Sequence, residues 1–229
     1  MSGQWKWLAT AVMVTAVGDT WVWAGPPPEP VGPWQQVINS PETDIVIATR
    51  AIQGTNIREF TAETTVKSSL AGLVALIEDT DNLPNWMHRI GRVDIVHRQD
   101  DHDLTAYTVI KAPWPLHDRD TYLHTHLFQD SKTGTVTISS VSEPGGPGLQ
   151  PGCIRMPEMD TDWIFQPLSG RRVKVTFRGF GLPGGVVPDW AVNLVVTDLP
   201  YGSLRNLKWQ IQRQKYQNSH FDAIKEVNP

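Results

Sequence analysis

The amino-acid sequence predicts an α+β fold in which a curved antiparallel sheet is followed by a long C-terminal helix. Short β-rich segments follow one another between residues 44 and 180. Their connections are rich in Asp, Gly, Lys and Ser, which favours an antiparallel meander over β–α–β crossovers. From Val187 to about Lys215 the pattern becomes helical.

Local patterns predict the elements in chain order. Gly54-Thr55 is a hairpin signal between the first two strands. An early helix is predicted from Ser69 to Glu78, because its apolar residues recur at i, i+3, i+4 and i+7 and Ser68 or Ser69 can cap it. The predicted strands comprise residues 44–52, 56–66, 92–98, 104–111, 121–129, 135–141, 154–156 and 172–180.

The final helix carries the clearest prediction about packing. Asp189 lies near its start, where a carboxylate faces unpaired backbone amides, and Pro200 is expected to kink or divide it. An amphipathic helix cannot bury its apolar stripe alone, so we expect this one to lie across the concave face of the sheet. The stripe chosen from the sequence comprises Trp190, Asn193, Leu194 and Thr197. Periodicity leaves open whether the core is packed or hollow.

Composition excludes several classes of protein. The chain has 229 residues, 19% of them charged, and a formal net charge of −4, which argues against a nucleic-acid binder. Its one cysteine, Cys153, excludes an internal disulfide framework and a multi-thiolate metal site. We therefore expect neither a cofactor nor a metal.

The first 24 residues have the three parts of a secretory signal. Lys6 precedes an apolar run, Leu8–Val17, and Val22-x-Ala24 offers small residues for cleavage. We expect an exported protein, periplasmic or secreted, with an uncleaved N-terminal anchor as the alternative. Residues 25–33 are predicted to be a Pro-rich spacer and residues 34–229 a single domain.

Four segments resemble, in the same order, motifs of the START (StAR-related lipid-transfer) domains, bacterial members included. The first is a proline-rich turn ending in Arg-Asp, at Pro113–Asp120, and the second is a Gly-x-Ile-Arg strand, at Gly152–Arg155. The third is a Trp-x-x-x-Pro-Leu element, at Trp163–Leu168, and the fourth is the Gly-Gly-x-Val-Pro-x-Trp start of the last helix, at Gly184–Asn193. The resemblance covers roughly residues 50–217. It implies a helix-grip fold, in which the sheet wraps around the long C-terminal helix and encloses an internal hydrophobic cavity for one lipid.

Two departures from the family pattern concern the ligand. Many family members carry an arginine where this chain has Thr125, and cholesterol-binding members carry an acidic residue where it has Ala106. The departures point to a more neutral ligand, such as a sterol, hopanoid, fatty-acyl compound or related lipid. The resemblance also implies transfer of that ligand, transient membrane contact, no nucleic-acid partner and a monomer.

The candidate ligand-binding residues combine strand alternation with the resemblance. On the strand at 121–129, Leu123, Thr125 and Leu127 are predicted to face the concave side, opposite Tyr122, His124 and His126. The full candidate set is Tyr107, Leu123, Thr125, Leu127, Arg155, Phe177, Trp190, Asn193, Leu194 and Thr197.

Alternatives remain open at this point. An enzyme of the cyclase or aromatase kind would need a polar pair with shifted pKa values inside the cavity, drawn from Tyr107, His124 or Arg155. A sensor or interaction module without transport is a third class. We interpret His124 and His126 as exposed histidines of a strand and not as a metal site, because the spacing supplies no third ligand.

Overall fold

The computed structural model describes residues 30–143, 148 and 150–227. The predicted secretory signal and residues 25–29 of the predicted spacer lie outside these residues. Within them, no helix is both long and apolar enough to cross a membrane.

The described residues form ten strands and four helices. The strands are β1 (Pro30–Ser40), β2 (Ile45–Ile52), β3 (Arg58–Lys67), β4 (Ile90–Arg98), β5 (Asp103–Ile110), β6 (Asp118–Gln129), β7 (Val136–Ser142), β8 (Cys153–Arg155), β9 (Glu158–Leu168) and β10 (Arg172–Leu182). The helices are α1 (Leu70–Glu78), α2 (Leu83–Trp86), α3 (Asp189–Gln210) and α4 (Gln214–Gln217).

All ten strands join one sheet. Nine follow the order β1-β2-β3-β10-β9-β7-β6-β5-β4, and every neighbouring pair is antiparallel. The short β8 pairs with the start of β6 in parallel. With α3 packed on this sheet, the predicted α+β helix-grip architecture is confirmed.

Two strands were not predicted, and each has residues that lower strand propensity. β1 begins at Pro30, inside the predicted spacer, and also contains Pro33; prolines are tolerated there because β1 is an edge strand. β9 contains Asp160 and Asp162, which alternate with inward residues such as Thr161. The folded part therefore begins before Trp34, the predicted boundary.

The two principal helices differ from prediction mainly at their ends. The Ser69 hydroxyl accepts a hydrogen bond from Gly72 N at 3.0 Å and caps α1, as predicted. α3 begins at Asp189, whose carboxylate accepts a hydrogen bond from Asn56 Nδ2 at 2.6 Å. Pro200 lies inside α3 without dividing it, so the predicted division of this helix is wrong.

The second half of α3 is firmly attached to the rest of the domain. Leu199, Leu204 and Leu207 are buried in the same core as the concave-face residues of the sheet. The Ser203 hydroxyl accepts a hydrogen bond from His88 N at 3.1 Å, and Asn206 Nδ2 donates to Trp86 O at 2.8 Å. These contacts position the helix over the sheet.

We predict that α3 stabilises the domain through its buried leucines rather than its exposed charges. Leu204→Ala should lower the free energy of unfolding by about 2–5 kcal/mol, because Leu204 is fully buried. Arg205→Ala, one residue along on the exposed side, should change it by less than about 0.5 kcal/mol. Urea unfolding followed by circular dichroism measures both, and equal effects would contradict the packing described.

Candidate functional site

Two adjacent cavities lie on the concave side of the sheet, beside the first half of α3. Cavity 1, about 130 Å³, is lined mainly by α3, β10 and the β5–β6 loop, and cavity 2, about 100 Å³, by the end of α1 and by β4 to β7 and β9. They meet at Met159, Thr161, Phe177 and Leu199, which line both. Because one water needs roughly 10–15 Å³ by this measure, the cavities have room for about ten and about eight water-sized groups.

Cavity 1 is walled by an aliphatic face of α3. Val192, Val195, Val196 and Leu199 recur at i, i+3, i+4 and i+7, so they fall on one face of the helix and line the cavity together. Phe177 of β10 lies opposite them. This arrangement provides an almost entirely apolar enclosure.

The base of cavity 2 is aromatic. The rings of Trp163 and Phe177, cross-strand neighbours on β9 and β10, stack at 4.1 Å between centroids with an interplanar angle of 3°. Both side chains line the cavity, and Phe60 packs edge-on against Phe177 at 5.0 Å. The cavities are thus bounded by large, tightly packed side chains that cannot easily collapse into them.

The cations in the wall of cavity 1 all have partners. Arg119 donates hydrogen bonds to the carbonyls of His117, Pro183 and Gly184. Lys111 Nζ lies 2.6 Å from Asp118 Oδ2. These bonds tie the β5–β6 loop and the β10–α3 loop to the start of β6.

Arg58, the third cation of this wall, is likewise engaged. Its Nε donates to Thr49 Oγ1 at 2.9 Å and its Nη2 to Gln35 Oε1 at 2.9 Å. In cavity 2 the charged lining residue is Glu78, whose carboxylate pairs with Arg98 at 2.7 Å. Neither cavity therefore presents a cation that is free to neutralise a ligand's negative charge, among the residues the structure describes.

An exposed apolar rim borders cavity 1. We define it as Trp114, Val186, Trp190 and Leu194, with 90%, 95%, 51% and 40% of their surface exposed. Each is next in sequence to a residue that lines cavity 1: Pro113, Val187, Ala191 and Val195. Large apolar side chains so exposed at the entrance of an apolar cavity indicate a contact surface.

The structure places the strand candidates on the sides predicted by alternation. Phe177 lines both cavities, Leu123 and Thr125 line cavity 2, and Leu127 is buried in the core below. His124 and His126 are exposed on the opposite side of β6. Whether these lining residues bind a ligand stays a prediction.

Tyr107 and Arg155 do not reach the cavities, which corrects their assignment as candidate lining residues. They meet on the outer side of the sheet, where Asp120 accepts hydrogen bonds from Tyr107 Oη at 3.1 Å and Arg155 Nε at 2.8 Å. Tyr122 lies beneath the Arg155 guanidinium at 5.0 Å. Alternation explains the placement of Tyr107, because Ala106 and Thr108, which flank it on β5, line cavity 2 instead.

The pKa values of this outer cluster are shifted from their ordinary values. Burial, followed by the hydrogen bond to Asp120, raises the pKa of Tyr107, while the hydrogen bond from Arg155 lowers the pKa of Asp120 despite burial. With His124 exposed, none of the three residues considered for an enzyme lies inside the cavity. The predicted catalytic pair is therefore not assembled there.

The stripe chosen on α3 is also corrected. Trp190, Asn193, Leu194 and Thr197 line neither cavity. They lie on turns whose Val192, Val195 and Val196 face inward. The i, i+3, i+4, i+7 spacing of these valines and Leu199 indicates the cavity-lining face from the sequence. The predicted stripe, which includes Trp190, lies on a different face of the helix.

The histidines of β6 pair with an aspartate. His124 Nε2 and His126 Nδ1 lie 3.2 Å and 3.0 Å from Asp103 Oδ1. Within the described residues no group of three or more His, Cys, Asp or Glu side chains is arranged to hold a metal ion.

No family model matches the chain, but comparisons with known proteins find relatives that are similar in sequence or in structure. An uncharacterized protein of Pseudomonas aeruginosa is 28% identical over 167 residues, which are 73% of this chain and 82% of the relative. Phosphatidylcholine transfer protein of Rattus norvegicus is 25% identical over 166 residues, or 70% of this chain and 75% of the relative. The solved STAR-related lipid transfer protein of Xanthomonas axonopodis has a TM-score of 0.71 and 25% identity, covering 79% of this chain and 99% of its own.

We predict that the outer cluster affects stability in a pH-dependent way. The folded-state pKa of Asp120 lies below its ordinary value of 3.8, so its contribution is full above that value and is lost as the pH falls through the folded pKa. Asp120→Asn should lower the free energy of unfolding by about 1–3 kcal/mol at pH 7 and by less in acid. Chemical unfolding at several pH values measures this, and a loss independent of pH would contradict it.

Proposed function

We propose that the chain is a START (StAR-related lipid-transfer) domain protein that binds one hydrophobic ligand in cavities 1 and 2 and transfers it between membranes. The observation that carries the proposal is the aliphatic face of α3, Val192 to Leu199, which borders the core and also lines cavity 1 along its length. An apolar molecule placed there would cover the face from water. Two of the similar proteins described above, the phosphatidylcholine transfer protein and the STAR-related lipid transfer protein, are named for lipid transfer, which supports this class over an enzyme.

The size and polarity of the cavities suit a single apolar molecule. Removing one methylene from water contributes about 0.8 kcal/mol, so a chain of roughly ten methylenes gains about 8 kcal/mol. No catalytic group is required for binding of this kind. The ligand we propose is a sterol, hopanoid, fatty-acyl compound or related lipid, as Thr125 and Ala106 in the wall of cavity 2 suggest.

We further propose that the apolar rim is the surface that touches the membrane. Trp114 and Trp190 are suited to the boundary between headgroups and acyl chains. Because each rim residue adjoins a cavity-lining residue, contact at the rim would bring the entrance of cavity 1 to the lipid surface. The partner is a lipid bilayer, and the protein acts as a monomer with no nucleic-acid partner.

Export is part of the proposal. Residues 1–24 would direct the chain to the periplasm or outside the cell, and cleavage after Ala24 would release the carrier. N-terminal sequencing of protein recovered from the periplasm or medium tests this. A chain that starts at Met1 and stays with the membrane fraction would favour the anchored alternative.

We predict that the chain extracts lipid from vesicles and that filling cavity 1 prevents it. Val196→Trp should reduce the lipid recovered with the protein at least about tenfold, since overpacking removes the space the ligand needs. Asn193→Trp, on the exposed side of α3, should bind normally. Mass spectrometry of protein re-isolated from vesicles measures both. Folded wild-type protein that takes up no lipid would overturn the proposed function.

We predict that the rim affects transfer without affecting binding. The double variant Trp114→Ser/Trp190→Ser should lower vesicle binding and transfer rate about tenfold or more, because two exposed aromatic anchors are lost. The affinity for ligand should stay the same, since neither side chain lines a cavity.

Trp209→Ser is the matched control for the rim variants. Trp209 is 77% exposed on α3 but lies near its other end, away from cavity 1. Fluorescent-lipid transfer between donor and acceptor vesicles compares the variants. An equal effect of Trp209→Ser would contradict a localised rim.

A further inference from the structure

A row of hydroxyl groups crosses the otherwise apolar wall of cavity 2. Thr125 on β6 is paired in register with Ser140 on β7, and Ser140 with Thr161 on β9. All three side chains line cavity 2. Directly opposed residues on adjacent strands are about 4.5–5.5 Å apart, so the hydroxyls form a continuous line.

This hydroxyl row, Thr125, Ser140 and Thr161, is incompletely paired. Thr125 Oγ1 and Ser140 Oγ bond to each other at 2.8 Å. The Thr161 hydroxyl has no hydrogen-bond partner among the residues the structure describes, although Thr161 is only 8% exposed. Because Thr161 lines both cavities, a ligand or water there can supply the missing hydrogen-bond partner.

The next strand packs closely against Thr161. Gly179 on β10 is in register with Thr161 and has no side chain to cover it. A Cβ at that position would lie 2.3 Å from Asp160 O and 2.7 Å from Thr161 Cγ2, so a larger residue would not fit without a shift. β10 therefore closes the Cγ2 side of Thr161, and the residue lines both cavities.

The charge of the wall restricts what could approach this row. Glu78 contributes a carboxylate to cavity 2 and is already paired with Arg98. A phosphate or carboxylate beside the row would lose its hydration without pairing with a free cation, and it would be repelled by the Glu78 carboxylate. Burying an uncompensated anion is strongly unfavourable.

We propose that the hydroxyl row is a subsite for the uncharged polar end, a hydroxyl or a carbonyl, of an otherwise apolar ligand whose body lies in cavity 1. The inference rests on the proposed function and adds the class of ligand to it. The Thr125–Ser140 pair uses one of its two protons internally and leaves the other to donate. When Thr125 donates to Ser140, the remaining proton lies on Ser140, the register partner of Thr161, and a single alcohol or carbonyl oxygen can bond to both.

Competition among matched compounds tests the subsite. Phosphatidylcholine vesicles carry equal mole fractions of tetradecanol, tetradecane, tetradecanoate or tetradecyl phosphate, and the amount recovered with the purified full chain is measured by mass spectrometry. The alcohol should bind about two- to tenfold better than the alkane, as expected for one net hydrogen bond, and better than either anion.

Substitutions locate the preference. Thr161→Val keeps the shape of the side chain and should remove most of the alcohol's advantage while leaving alkane uptake unchanged. Thr176→Val on β10, outside both cavities, is the matched control and should alter neither. The free energy of unfolding is measured for both variants to show that they fold.

The outcomes separate this inference from the proposed function. Uptake of all four compounds to the same extent, or preference for an anion, overturns the subsite and leaves lipid binding intact. A loss of alkane binding in Thr161→Val also overturns it, because packing would then explain the effect. A wild-type chain that takes up none of the compounds overturns both.

Discussion

The structure depends on the aliphatic face of α3, one part of which packs in the core while another part lines cavity 1. From Leu199 to Ile211 this face is buried against the sheet and belongs to the core. From Val192 to Val196 the same face lines cavity 1. The second half stabilises the fold by packing in the main core, while Val192, Val195 and Val196 in the first half pack at the edge of the core and also line cavity 1. The proposed hydrophobic ligand would cover the part of this face that lines cavity 1.

The attachment of α3 differs along its length in the same way. His88 and Trp86 bond to Ser203 and Asn206 in its second half, and Gly202 lets the loop with His88 come close, since a Cβ there would lie 2.6 Å from His88 Cγ. In the first turn, the side-chain bond to another element is the exposed one from Asn56 to Asp189. Asp198, near the middle of the helix, pairs with His88 and Arg89, so the less constrained part is the first two turns, which border cavity 1.

The sequence predicted the fold better than it predicted the site. Strand alternation and the helix pattern gave the antiparallel sheet, and the family resemblance gave the enclosed cavity. β1 and β9 were missed because proline and aspartate lower strand propensity although an edge position or an outward side accommodates them. The hydroxyl row could not be predicted, because Ser140 and Thr161 become neighbours only through the register between strands, and register is a property of the pairing.

β6 shows why that register matters for function. Its outward Asp120 pairs with Arg155, and its inward Thr125 belongs to the hydroxyl row. A slip of one residue would turn every side chain to the other face and bring the Asp120 carboxylate into the apolar enclosure. Parallel pairing with β8 aligns Asp120 with Arg155, and Arg119 holds the carbonyls of the β10–α3 loop, so both resist such a slip. The ionic cluster on the outer side of the sheet therefore helps to keep the Asp120 carboxylate out of cavities 1 and 2.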